Sequence, residues 1–336
     1  ACGEKANFGS ISYYPWFSKD SLPVSFAKIA NENGMKVGII TTVSLNHATP
    51  AAFYAQSTSR NLYYEIGSQL PESGFEFFGG GGLKHVKGSD NNQPDLYEKA
   101  KSNNYIVSSN IKDFENLDKK NTKYMFVNPK LGLESDVPYK IDRKSDDGYS
   151  LAQFVKTGIK VLENPKGFFM MVEGGKIDWA AHSNDGATII KEIYDMDLAI
   201  REAYEFYEKY PDETLILITA DHETGGLSLG NAQMAYESNF MLLDNQKISI
   251  TNFSEKIKDY KENNQKYSID DIWKLADEYF FTETPIYTAS DSTRVLEAFN
   301  YYFYEKSPAT SLEPIILYGA ENPIASIFGN IICTKA

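Results

Sequence analysis

Two short apolar runs, each ending in a cluster of metal-binding residue types, constrain this chain most. Phe168 to Val172 leads into Glu173-Gly174-Gly175-Lys176-Ile177-Asp178-Trp179-Ala180-Ala181-His182. Leu215 to Ile218 leads into Thr219-Ala220-Asp221-His222-Glu223-Thr224-Gly225-Gly226. A brief continuous apolar run reads as a strand buried on both faces of a parallel sheet. In open α/β sheets, ligands bind at the carboxyl ends of such strands. Mixed Asp, Glu and His donors suit zinc, and all-oxygen positions suit magnesium. These residue types in these places predict a metal-dependent hydrolase.

The rest of the chain alternates in the same way. Ser25 to Asn33 reads as a short helix closed by Gly34, and Val37 to Thr42 as a buried strand. Thr49 with Pro50 gives an N-cap and first-turn signal for a helix running from Pro50 towards Tyr64. Tyr105 to Val107 and Tyr124 to Val127 are further strand candidates, whereas Gly79 to Gly82 reads as a loop. Leu151 to Leu162 is an amphipathic helix. Gly186 to Tyr210 is a longer one, expected to pack through Ile189, Ile193, Met196, Ile200 and Tyr204. Asn231 to about Thr288 interrupts the alternation, with its own helix at Ser268 to Phe280. Ser292 to Tyr304 and Pro314 to Tyr318 resume the alternation as helix and strand. The expected fold is α/β, a doubly wound, mostly parallel sheet with helices on both faces. It is expected as one domain over 1–336 with an insertion at 231–290.

Composition excludes some partners. The net charge of −13, from 33 basic and 46 acidic residues, argues against nucleic acid as a partner. An anionic substrate must then be drawn locally, by metals and an arginine. No apolar run approaches membrane-span length, and no export signal is read in the chain. Aromatic residues reach 14%, an excess with no functional account at this level. The two cysteines, Cys2 and Cys333, show no metal-ligand spacing, and their pairing is left open.

Five blocks in order resemble the alkaline phosphatase family. They are Cys2 to Asn7; Thr41 to Ala55 with His47-Ala48-Thr49-Pro50-Ala51-Ala52; Thr58-Ser59-Arg60; Val172 to His182; and Thr219 to Gly226. The resemblance implies two zinc ions and one magnesium acting on small phosphomonoesters. It implies Asp178 and His182 as ligands of the first zinc, and Asp221 and His222 as ligands of the second. Glu173 and Thr49 match the oxygen ligands of the magnesium, and His47 lies near that third site. Arg60, thirteen residues after His47, matches the arginine that grips phosphate oxygens, and Trp179 occupies a position close to the metals. Phosphoryl transfer needs charge neutralised at the entering and leaving oxygens, which a metal pair about 4 Å apart provides. The planar guanidinium fork suits the equatorial oxygens. Family members work in the periplasm or outside the cell, and a homodimer is compatible with the resemblance.

The sequence also departs from the family pattern. The serine nucleophile of the family aligns about two helical turns before Ala1, and the aspartate that bridges two metals aligns further upstream. Pro308-Ala309-Thr310-Ser311-Leu312 stands where the family places a further zinc histidine, and the four histidines are His47, His85, His182 and His222. Each zinc then keeps two donors where catalytic sites usually have three. Two alternatives follow: a catalytically silent relative that binds metal or phosphate weakly, and a related phosphodiesterase or sulfatase. Asp178 with His182 also fits an ordinary surface i, i+4 pair. A chain lacking a central strand is expected to associate or to be poorly soluble.

Overall fold

Side chains alternate across the strands, so each strand feeds two cores. In a computed structural model, the described residues are 1–14, 22–115, 123–225, 227, 239–281, 287–306 and 322–335. Five strands form one parallel sheet: β1 (Lys36–Thr41), β2 (Phe77–Gly80), β3 (Tyr105–Ser108), β4 (Lys123–Val127) and β5 (Phe168–Glu173). The order is β3-β4-β2-β1-β5. Val37, Ile39, Phe78, Met125 and Val127 face one core. Ile40, Phe77, Tyr124 and Phe126 face the other. Helices cover both faces, as a buried parallel sheet requires. α1 (Phe26–Glu32), α3 (Tyr63–Gln69) and α4 (Leu96–Ser102) lie towards the first core, and α5 (Leu151–Leu162) fills the second. The expected α/β doubly wound class is the class observed.

β1 pairs with β2 on one side and with β5 on the other, both in parallel. The chain therefore winds outward in one direction through β2 and returns to the opposite side of β1 with β5. The carboxyl ends of β1 and β5 mark the topological switch point, where open α/β sheets bind their ligands.

Several local expectations are corrected. The helix expected from Pro50 to Tyr64 is two helices, α2 (Ala48–Tyr54) and α3. Between them Ser57 exchanges both backbone hydrogen bonds with Ile11, at 2.9 Å each, and this bridge pulls the chain out of the helix. His47 occupies the N-cap position of α2, and Thr49 lies within its first turn. Gly79 and Gly80 belong to strand β2. Gly80 has φ +125°, and a Cβ there would lie 1.8 Å from the Thr41 carbonyl oxygen, so glycine permits this close approach of β1 and β2. In the turn at 142–147, Asp142 accepts from the Ser249 N–H, and Asp147 pairs with Lys130 at 2.6 Å.

By backbone contacts the chain divides into two units. The first comprises Ala1–Pro138, Lys144–Gly175 and Asp195–Leu217, and the second Tyr139–Arg143, Lys176–Tyr194 and Ile218–Ala336. Aromatic rings fill much of the core of the second unit. Phe253 packs its ring against Phe280 at 4.8 Å and Phe328 at 5.9 Å. These rings join α8 (Ile250–Asn263), α9 (Ile269–Tyr279), α10 (Ala289–Tyr304) and the helix Pro323–Lys335 in one core. α8 is a helix that the sequence pattern did not announce. The residues 308–312, the expected strand Pro314 to Tyr318, Gly226 and part of 231–290 lie outside the described residues.

The packing stripe of α7 (Gly186–Lys209) also differs from expectation. Ile189 is buried, but Ile193 and Tyr204 are about half exposed, at 50% and 51%. The buried stripe instead contains two carboxylates, Glu192 and Asp195, which accept the backbone N–H groups of Lys140 and Leu151. Apolar periodicity is blind to a stripe that is buried through hydrogen bonds. Leu215 to Ile218, expected as a buried strand, joins no ladder; Leu215 and Leu217 are 80% and 81% exposed. Strand burial needs a neighbour, and none is found for this run among the described residues. Among those residues no helix is long and apolar enough to cross a membrane.

Both cysteines are free thiols. Cys333 Sγ accepts from the Gly186 N–H at 3.1 Å and donates to the Asn184 carbonyl at 3.2 Å. Burial pushes this thiol up to about 11.

Two measurements check this description. Asp185 is fully buried and accepts from Thr188, Gln246 and the Ile250 N–H, yet burial pushes its carboxyl up to about 6. A raised carboxyl pKa favours the folded state most below the unfolded value, and that contribution is lost as pH rises through about 6. Between pH 5 and pH 7.5 the native chain should lose about 1 kcal/mol relative to Asp185→Asn, read by urea denaturation of both proteins at each pH. The exposed run gives the second. Leu215→Ser combined with Leu217→Ser should leave stability within about 0.5 kcal/mol and reduce self-association in sedimentation velocity.

Candidate active site

The first unit presents its candidate residues at the carboxyl ends of β1 and β5. The parallel register sets Thr41 beside Glu173. The Thr41 hydroxyl donates to Glu173 Oε2 at 2.6 Å and accepts from the Val43 N–H at 3.1 Å. The chain leaving β1 turns through Asn46, whose side-chain amide donates to the Tyr63 and Lys84 carbonyls and whose oxygen accepts from the Lys84 N–H. That buried amide fixes the entry into α2, and with it His47 and Thr49, both half-buried. Arg60 is exposed, and its backbone N–H is anchored on the Gly9 carbonyl at 2.7 Å. A guanidinium nitrogen of Arg60 lies 3.4 Å from His47 Nε2. Because guanidinium only donates, this contact requires the unprotonated nitrogen of the imidazole.

The second unit gathers the other candidates. Asp178 and His182 stand one turn apart on α6 (Gly175–His182), with Oδ2 and Nε2 3.5 Å apart. Asp221 and His222 form a second pair at the same separation, 3.5 Å. Thr224 joins the pairs. Its hydroxyl donates to Asp178 Oδ1 at 2.6 Å and lies 3.1 Å from His222 Nδ1. The Glu223 carbonyl, 3.0 Å from the same Nδ1, can only accept, so Nδ1 carries the proton and neutral His222 keeps its Nε2 lone pair for a ligand. The Glu223 carbonyl first, and then the Asp221 carboxylate, push His222 above its ordinary value.

Packing beneath α6 keeps these ligand types in place. Lys176 is buried, with its ammonium 3.5 Å from the centre of the Tyr139 ring and 5.0 Å from that of Trp179. Trp179 is thus one wall of a cation–π contact. Gly225 has φ +78°, and a Cβ there would lie 2.4 Å from the Ala181 carbonyl oxygen. Only glycine lets the second motif lie this close to α6.

Sequence reasoning missed Thr41 and Thr224. Both are threonines without a signature of their own, and each gains its role from a partner distant in sequence. The donor types fit metal ions: carboxylate with imidazole for zinc in the second unit, carboxylate and hydroxyl oxygens for magnesium in the first. The number of donors is smaller. Among the described residues no three His, Cys, Asp or Glu side chains come close enough together to hold one ion.

A doubly wound parallel sheet with a carboxylate and a hydroxyl at neighbouring strand ends defines an α/β fold of the open-sheet class. More particularly, a model of the alkaline phosphatase family matches residues 1–275, and the chain belongs to that family. Its relatives include the repressible alkaline phosphatase of Saccharomyces cerevisiae, 31% identical over 253 residues, covering 68% of this chain and 44% of the relative. Alkaline phosphatase 3 of Bacillus subtilis is 35% identical over 210 residues, covering 60% of this chain and 43% of the relative. The chain spans about half the length of the curated relatives it matches. A cold-active alkaline phosphatase from a psychrophilic Shewanella sp. superposes with a TM-score of 0.72 at 24% identity, covering 99% of this chain and 71% of that one. An alkaline phosphatase variant from the Antarctic bacterium TAB5, solved with magnesium bound, gives a TM-score of 0.51 at 30% identity, covering 62% of this chain and 57% of that one.

Gly225→Ala tests the close approach to α6. It should lower the stability of the second unit by more than about 1 kcal/mol, because an L side chain is strained at that φ and meets a backbone oxygen. A shifted urea midpoint with unchanged far-UV circular dichroism is the expected result.

Proposed function

We propose that the chain is the metal-binding part of a phosphomonoester hydrolase of the alkaline phosphatase type. The observation that carries this reading is the connected set Asp178, His182, Thr224, His222 and Asp221, in which two Asp–His pairs share one threonine hydroxyl. Asp178 with His182 would hold one zinc, Asp221 with His222 the second, and Glu173 with Thr49 a magnesium. When bound, these ions would neutralise charge on the entering and leaving oxygens of the phosphoryl group. Arg60 binds the equatorial oxygens through its fork, and His47, accepting from the guanidinium, orients it. Trp179, next to Asp178 in sequence, would stand near the first pair. None of the residues named here takes the role of the family's serine nucleophile, bridging aspartate or further zinc histidine, and Pro308 to Leu312, where that histidine aligns, contains none. By family resemblance the protein acts in the periplasm or outside the cell.

The small number of donors in each pair favours one rival, a silent relative that binds metal without turnover. Both readings meet in one experiment on the full protein supplied with zinc and magnesium. Hydrolysis of 4-nitrophenyl phosphate should exceed that of the corresponding diester, should vanish on chelation and return with metal. Arg60→Ala should lower kcat/KM by about a hundredfold through loss of a charge-assisted bidentate contact. Zinc uptake without monoester turnover would support the silent relative, and faster diester cleavage would sink the assignment.

A further inference from the structure

We infer that Thr41 is a positioning residue that holds the Glu173 carboxyl aimed for its cation. The inference rests on the magnesium role proposed above for Glu173. Thr41 is fully buried at the last position of β1. The parallel register places it directly beside Glu173, and the Thr42 N–H donates to the Glu173 carbonyl at 3.2 Å, so the pair is fixed by main chain as well as side chain.

A threonine hydroxyl has one proton to give. The Val43 N–H donates to Thr41 Oγ1 at 3.1 Å and so engages a lone pair. The remaining hydroxyl proton points at Glu173 Oε2, 2.6 Å away. Glu173 Oε2 accepts this proton. The bond also holds Oε2 in one direction, which pre-sets the carboxyl plane before a cation arrives. Partners of this kind typically alter metal affinity 10- to 100-fold when removed.

The competing explanation is that Thr41 is present only because a β-branched residue suits a buried strand. The two explanations order the substitutions oppositely. Thr41→Val keeps the branch and loses the hydroxyl, whereas Thr41→Ser keeps the hydroxyl and loses the branch.

Binding of Mn²⁺ to the full chain, followed by electron paramagnetic resonance and displaced by added Mg²⁺, reads the difference. Thr41→Val should weaken Mn²⁺ binding by about 10- to 100-fold, and Thr41→Ser should stay within a few-fold of the native chain. Co²⁺ uptake at the Asp–His pairs should be unchanged in both. Thr41→Ala replaces the valine variant if that protein does not melt cooperatively. If Thr41→Val binds as tightly as the native chain while Glu173→Gln abolishes binding, the positioning role is wrong and the magnesium role of Glu173 stands. If Glu173→Gln changes nothing, or the native chain takes up no Mn²⁺, the reading of Glu173 fails and takes this inference with it.

Discussion

The parallel pairing of β1 with β5 organises the first unit. It closes the sheet on the far side of β1, creates the switch point, and brings the ends Thr41 and Glu173 into register. Everything the first unit offers to a ligand hangs from those two strand ends. His47 and Thr49 follow β1 through a turn braced by Asn46, and Arg60 follows the bridge between Ser57 and Ile11. A one-residue slip of β5 would send Glu173 to the opposite face of the sheet and separate it from the Thr41 hydroxyl.

The second unit solves a different problem. Its helices are held by interlocking rings around Phe253 and Phe328, and polar anchors are set inside that apolar frame. Asp185 receives donors from Thr188, Gln246 and Ile250, which ties the start of α7 to the start of α8. Lys176 rests against the rings of Tyr139 and Trp179. The ligand-type side chains are by contrast open to solvent: Asp221 is 79% exposed and His222 59%. Rigid support with exposed donors is the arrangement expected where an ion must enter from water.

Much of this was legible in the sequence, for reasons that can be named. α5 keeps its expected bounds because its apolar repeat is clean, and in the structure Ser150 with Gln153 closes its start as a capping box. β1, β3, β4 and β5 were read from continuous β-branched or aromatic runs. β2 was missed because Gly79 and Gly80 look like a loop until the closeness of the Thr41 carbonyl is known. The face of α7 was misjudged because Glu192 and Asp195 are buried as hydrogen-bond acceptors. Leu215 to Ile218 shows the limit from the other side: an apolar run specifies the wish to be buried, and a neighbouring strand must grant it. In the site, the Asp–His pairs were visible as spacing, while Thr41 and Thr224 act through tertiary contacts that no local pattern records.

The thiol of Cys333 carries one more consequence. With its pKa pushed up to about 11, only about one molecule in ten thousand is a thiolate at neutral pH, so alkylating reagents should find it nearly inert while the helices around it stay closed. Its hydrogen bonds to Gly186 and Asn184 tie that inertness to the turn between α6 and α7. Each transient opening of that turn would leave a covalent mark. The chain thus contains its own clock for local unfolding beside the Asp178–His182 pair, readable by mass as a function of time.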